Sequence, residues 1–273
     1  MASRIRAPPR APPLEYPAAM PVEMIQTKRL FQQVYEQLAD LIAKGEFPLG
    51  ERLPAERDLA RQLGVSRATV REAMIALELS GLVEVRVGAG IFVVRGKPLT
   101  PGGADREELG LGPFEILEAR RTIECAVAYF AAQQIQDSDI AELEAALAVM
   151  EEEHRTGFKT ENGDRSFHVG IARATRNNAL VRTVEALWDL KYRAPMWAKL
   201  HERVRAALLR PALLSDHWQI LEALRRRDPA GARDAMDAHL VQVADDLLRI
   251  SEAEFVGEVA DEDQQRGRRA VGR

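Results

Sequence analysis

Leu53-Pro54-Ala55-Glu56-Arg57-Asp58-Leu59-Ala60-Arg61-Gln62-Leu63-Gly64-Val65-Ser66-Arg67-Ala68-Thr69-Val70-Arg71-Glu72-Ala73-Met74-Ile75-Ala76-Leu77 holds two short helical patterns on either side of a Gly64-Val65-Ser66 turn. Pro54 is tolerated in a first helical turn, where its missing N–H is no loss. Gly64 supplies the left-handed residue that ends the first helix. Ser66 can cap the second by accepting from an orphan backbone N–H. Val70, Ala73, Met74 and Leu77 then form one apolar stripe at helical spacing, with Arg67, Thr69 and Arg71 off its centre. This is the layout of a helix-turn-helix, whose second helix offers its N-terminal residues to base edges. Downstream, Leu82-Val83-Glu84-Val85-Arg86-Val87 alternates as a strand does, Gly88-Ala89-Gly90 can turn the chain, and Ile91-Phe92-Val93-Val94 returns it. A helix-turn-helix followed by a hairpin is a winged helix. Upstream, Leu30 to Lys44 repeats apolar residues at helical spacing and should brace it, with Gly45 and Pro48-Leu49-Gly50 ending that helix.

The length of 273 residues suggests about two domains, and a hydrophobic content of 46% is enough for real cores. The net charge of −4 rules out binding by bulk basicity, so contact with nucleic acid must rest on local charge. Cys125 is the single cysteine, which excludes an intrachain disulfide and fits a reducing cytoplasm. No apolar run approaches the roughly 20 residues of a membrane span, and the Pro- and Arg-rich start lacks the apolar core of a signal peptide. The expected organisation is an N-terminal tail over 1–25, a winged helix-turn-helix over 26–95, a Pro- and Gly-rich linker over 96–112, a helical bundle over 113–250 and a flexible C-terminal tail over 251–273. The fold class is therefore mainly α. Within the bundle the periodicity predicts helices at about 114–134, 138–155, 159–175, 178–199, 202–226 and 229–250, the fifth with a break before Pro211.

The chemistry of the second half lies in its histidines. His168 follows Asp164 by four residues, so both project from one helix face, which also carries Phe167 and Ile171. His217 shares a stripe with Ile220, Leu221 and Leu224, and His239 shares one with Ala232, Met236 and Val243. Each alone reads as a satisfied core histidine. Together, beside a carboxylate in an apolar bundle, they are costly to bury unless paired or coordinating. Three histidines and a carboxylate suit a transition metal such as zinc, nickel or manganese. Spacing alone does not show that the helices converge.

The runs Leu-Pro-Ala-Glu-Arg-Asp-Leu-Ala, Val-Ser-Arg-Ala-Thr-Val-Arg-Glu-Ala and Gly-Leu-Val-Glu-Val-Arg-x-Gly-x-Gly, over roughly residues 30 to 95, resemble the GntR family of bacterial transcription regulators. The resemblance implies DNA contact from Arg57, Ser66, Arg67, Thr69 and Arg71, and from Gly88 at the wing tip. Ala68 and Val87 stand where some relatives carry polar contacts, which leaves the base readout open. In the second half, Glu118-x-Arg120-x-x-x-Glu124, Asp164-x-x-Phe167-His168, Ala174-x-x-Asn177, His217-x-x-Ile220-Leu221 and Asp228-x-x-x-Ala232-x-x-x-Met236-x-x-His239 resemble the FCD ligand-binding domain of the FadR branch. That resemblance implies a divalent metal, zinc first among the choices, on Asp164, His168, His217 and His239. It also implies a small carboxylate effector reached by Arg120 and Asn177. The alternative for Arg120 is an intrahelical pair with Glu124, four residues on.

Finer stretches, Arg29-Leu30-Phe31-Gln32-Gln33, Pro113 to Arg120 and Trp197-x-Lys199-Leu200-His201, are similar to the hexuronate-utilisation repressors of this branch. A sugar acid is then the implied effector, with Trp188, Tyr192 and Trp197 either lining its site or filling the bundle core. The resulting expectation is a cytoplasmic homodimeric repressor on a pseudo-palindromic operator in double-stranded DNA, not membrane-bound and not an enzyme. Two other functions compete with it: a metal-dependent enzyme acting on a sugar acid, and an architectural DNA-binding protein whose second domain is structural.

Overall fold

In the computed structural model the chain is described over residues 28–86, 89–97, 110–156, 161–204 and 211–256, with side chains left aside at 201–213 and 250–256. The element order is α1 (Leu30–Ala43), α2 (Glu56–Leu63), α3 (Arg67–Leu79), β1 (Val83–Arg86), β2 (Gly90–Val93), α4 (Pro113–Gln134), α5 (Asp137–Arg155), α6 (Asn162–Ala174), α7 (Asn178–Arg193), α8 (Pro195–Val204), α9 (Pro211–Arg225) and α10 (Pro229–Val256). A winged helix is followed by a helical bundle, as the patterns imply.

The turn chemistry acts as its residues dictate. Gly64 closes α2 at φ 66°, a conformation that a residue with a Cβ adopts only at a cost. Ser66 caps α3 by accepting from the Thr69 amide at 3.0 Å. Val70, Ala73, Met74 and Leu77 are fully buried against Phe31, Val34, Leu38 and Ile42 of α1. At about 1.5–3 kcal/mol per large apolar side chain, that stripe holds α3 as a rigid rod. β1 and β2 pair antiparallel, Val83 with Val93 and Arg86 with Gly90. The segment before α2 joins them: Leu53 donates to the Ile91 carbonyl at 2.8 Å, and Gly50 to that of Val93 at 2.8 Å. This third rung was not expected from the sequence, because Glu51 to Leu53 is too short to show alternation.

In the bundle α4 runs against α10, α6, α7 and α9, and is its central helix. The expected helix over 178–199 is in fact two. Ala194 turns extended (φ −75°, ψ 117°) because it precedes Pro195, whose ring excludes the helical conformation behind it. α10 also continues to Val256, past the expected end at residue 250. Among the described residues no helix is long and apolar enough to cross a membrane.

Candidate functional site

α6 carries Asp164 and His168 one turn apart, α9 carries His217, and α10 carries His239. The bundle brings them together: one ligand atom from each lies within 4.8 Å of all the others. His217 Nε2 stands 3.0 Å from Asp164 Oδ1, and His168 Nε2 stands 3.3 Å from the same oxygen. The rings of His217 and His239 are 4.3 Å apart between centroids, in edge contact. All three histidines are buried, while the Asp164 side chain keeps 16% exposure.

The electrostatics favour the ligand forms of two of the four residues. Burial alone would raise the Asp164 carboxyl, but hydrogen bonds and charge from His168 and His217 outweigh it and hold the group well below the usual range. Burial, then the neighbouring His217 and His168, push His239 well below its ordinary value, so it stands neutral and free to coordinate. His168 goes the other way: burial lowers it, but the Glu124 carboxylate raises it more.

Glu124 lies behind the site. One oxygen accepts from His168 Nδ1 and the other from Arg120 Nε at 2.7 Å. A carboxylate on the far nitrogen of a ligating histidine fixes its tautomer and leaves Nε2 facing the centre. Burial would raise Glu124, yet Arg120 and His168 bring it down to about 2. Sequence reasoning treated Glu124 only as a rival partner for Arg120. The His168 contact was invisible because it joins α4 to α6.

Arg120 is buried at 3% exposure and makes the intrahelical pair with Glu124. Its guanidinium also lies over the Trp188 ring, 4.1 Å from the centroid, and its Nη2 has no hydrogen bond. Of the two sequence readings of Arg120, the structure shows the intrahelical pair. A second cation, Lys191, is buried against the Trp188 and Trp197 rings at 4.5 and 4.9 Å and paired with Glu161 at 2.5 Å. Sequence reasoning missed Lys191 and Glu161 because neither sits in a motif. Asn177 lies apart from these groups. It is exposed, and its side-chain oxygen caps α7 from the Ala179 and Leu180 amides at 3.0 and 3.4 Å. The bundle does not gather it with the four-residue set.

In the winged helix Arg57 and Ser66 are exposed, and Arg67 and Thr69 are half-buried. Gly88 lies outside the described residues. Arg71 is 1% exposed and its Nη2 meets Glu56 at 2.7 Å, so it ties α3 to the first turn of α2. The helical stripe places position 71 beside Val70, on the flank that α2 covers.

Comparison with known proteins matches this chain to two family models. "Bacterial regulatory proteins, gntR family" covers residues 30–93, and the FCD domain covers residues 115–242. Among curated relatives, the Uxu operon transcriptional regulator of Escherichia coli (strain K12) is 41% identical over 84% of this chain and 91% of its own length. The Exu regulon transcriptional regulator of the same strain is 41% identical over 80% and 84%. The Putative L-lactate dehydrogenase operon regulatory protein of that strain is 31% identical over 84% and 90%. Among solved structures, E. coli McbR/YncC is similar at 25% identity and a TM-score of 0.44, over 82% of this chain and 99% of that one. The chain belongs to the gntR family of bacterial regulatory proteins, with an FCD domain as its second half, and is a transcription regulator and not an enzyme.

Proposed function

We propose that the protein binds double-stranded DNA through its winged helix and that a small organic acid, held at a metal site in the bundle, controls that binding. The observation that carries the reading is the convergence of Asp164, His168, His217 and His239, with Arg120 buried nearby and one of its guanidinium nitrogens without a hydrogen bond. His239 Nδ1 is likewise buried without a hydrogen bond. Buried polar atoms left in that state are costly, and a cation shared by the histidines together with an acid beside Arg120 would satisfy them. The donor set of three imidazoles and one carboxylate suits zinc, and also nickel or manganese. Bound there, a divalent ion supplies an electrostatic anchor for a carboxylate or hydroxyl oxygen of the acid.

This chain's own residues do the rest. Glu124 orients His168. Arg120 offers a second acidic oxygen a charge-assisted hydrogen bond. Trp188 and Trp197 give the site an apolar wall, which suits a sugar ring with its C–H faces. The names of the relatives, regulators of Uxu and Exu genes, favour a hexuronate or related sugar acid. Arg57, Ser66, Arg67 and Thr69, with Gly88 of the wing, are the proposed DNA contacts. One recognition helix reads too few base pairs to single out a site among its genomic competitors, so the working unit is a homodimer on a pseudo-palindrome. The working division is 26–95 for reading and 113–250 for sensing.

The test replaces His217 and His239 by Ala and follows metal content, acid binding and operator binding separately. Metal and acid response should be lost while operator binding persists. Full metal content and an unchanged response in the double variant would show that these histidines are core residues.

A further inference from the structure

The recognition helix packs against α8, α4 and α10 of the sensing domain, and one buried carboxylate hydrogen-bonds across that seam. Glu72, on α3, reaches across the boundary and accepts from the Phe114 and Glu115 amides at 2.9 and 3.1 Å. These are orphan donors of the first turn of α4, so Glu72 is an N-cap residue supplied by the other domain. It is 6% exposed. Residue 112 is glycine for this reason. A Cβ on Gly112 would lie 2.1 Å from Glu72 Oε1 and 2.3 Å from its Cδ, although its φ of −69° suits any residue. Arg29 adds a second tie across the same seam, donating to the Gly110 carbonyl at 2.6 Å and standing 3.8 Å from Glu115.

The tie has a consequence for the DNA-reading end of α3. Ser66, Ala68, Thr69 and Glu72 line a cleft of about 620 Å³ whose remaining walls come from Arg29 and the start of α1 and from α4 and α10. To be read, a major groove about 12 Å wide and about 8.5 Å deep must straddle this end of the helix, with a phosphate row on each side. Here one side is taken by the sensing domain. Glu115, Glu118 and Asp245 put carboxylates on the cleft wall, while Arg121 is engaged by Asp237 at 2.5 and 2.9 Å. Phosphate is opposed there by shape and by charge.

We infer that this arrangement is a closed, DNA-excluding state of the regulator, and that the Glu72 cap on α4, seated over Gly112, is the latch that holds it. Opening the latch frees the reading end of α3. The inference deepens the reading of the protein as a DNA-binding regulator and is independent of any acid or metal. Glu72 is a positioning residue: it touches no base, and it sets which population can.

The test uses the full chain and a short labelled duplex of random sequence at low salt, because closure excludes any duplex. Two variants open the latch from opposite sides. Glu72→Ala removes the cap, and Gly112→Ala displaces the carboxylate while leaving α3 intact. Both should bind the duplex more tightly than the parent, by about tenfold if the closed state dominates the parent population. Hydrogen exchange supplies a readout that a merely structural role would not move. The amides of Phe114 and Glu115 should be protected in the free parent and lose protection when the duplex saturates it. Equal or weaker duplex binding by a folded Gly112→Ala variant overturns the inference, as does unchanged protection of those amides in the DNA complex. Absence of duplex binding by the parent and by both variants would instead remove the DNA-binding reading on which the latch rests.

Discussion

The two halves of this chain place their functional groups by different means. In the winged helix, Gly64, Ser66, Arg67 and Thr69 lie within one turn and the start of one helix, and the turn chemistry alone sets their positions. In the bundle, the four candidate ligands come from α6, α9 and α10, and the carboxylate that orients one of them comes from α4. The first site is written locally and folds with its own hairpin. The second exists only when four helices have packed. Each half also buries an ion pair, Glu56 with Arg71 at 2.7 Å and Glu124 with Arg120 at 2.7 Å. The first pair joins two neighbouring helices. The second lies within α4 and extends through His168 to the centre of the bundle.

The largest expected effect comes from breaking these pairs. Removing one partner of a buried pair leaves an uncompensated charge and costs about 3–5 kcal/mol. Glu56→Ala and Glu124→Ala should therefore both lower stability by that order, as read from urea unfolding. The comparison sharpens in what else they change. Glu124→Ala should also weaken metal retention, because His168 loses the group that fixes its ring. Glu56→Ala should leave metal retention as it was. Equal metal retention in the two variants would break the distinction between a pair that only joins helices and one that also serves a site.

A smaller effect is expected at the local site. Arg67 is half-buried at the first position of α3, off the apolar stripe. If its planar fork meets a base edge, Arg67→Ala should lose about 1–3 kcal/mol of discrimination between the operator and a mutated operator. Its metal content should not change. Loss of affinity that is uniform across sequences would reassign Arg67 to a phosphate.

This contrast also explains how much was legible beforehand. Gly64, Ser66 and the Val70 to Leu77 stripe act within a turn or two of themselves, so their reading could be made from the sequence. The ligand set was suggested by three histidines on apolar stripes, but only the packing of α6, α9 and α10 shows that the stripes meet. The pairing of Arg71 with Glu56 was not legible, because it forms across the turn between two helices. The capping role of Asn177 was legible from its place before α7. Pro195 was the missed local signal, a helix stop in plain sight. Glu72 could not have been found at all. Nothing in α3 or α4 by itself shows that the carboxylate of one caps the other.

The remaining expected effect belongs to that joint, which is neither local nor part of the bundle, and it takes the form of a pH dependence. Burial is the main influence on Glu72 and raises its carboxyl to about 7 from 4.5. The Glu115 and Phe114 amides oppose the rise, the Glu115 charge adds to it, and Arg29 opposes it. Glu118 and Arg121 of α4 and Asp245 of α10 line the same cleft. When the latch opens, Glu72 returns to water and to its ordinary value. The closed state therefore binds this proton more tightly than the open one. Its advantage from this group is fully present below about pH 4.5 and is lost as pH rises through about 7. Across about pH 5 to 8 the parent should gain duplex affinity relative to Glu72→Ala, which lacks the titrating group. Taking the ratio of the two removes the pH dependence that both share, including any from phosphate contacts and the bundle histidines. The expected rise is at most several tens-fold, the bound that a shift from 4.5 to about 7 sets over this range, and it is read by anisotropy with the same random duplex at fixed ionic strength. A ratio that stays flat, or falls as pH rises, would mean that Glu72 keeps its burial and its proton in the DNA complex, and that the two halves of the molecule read DNA without separating at this seam.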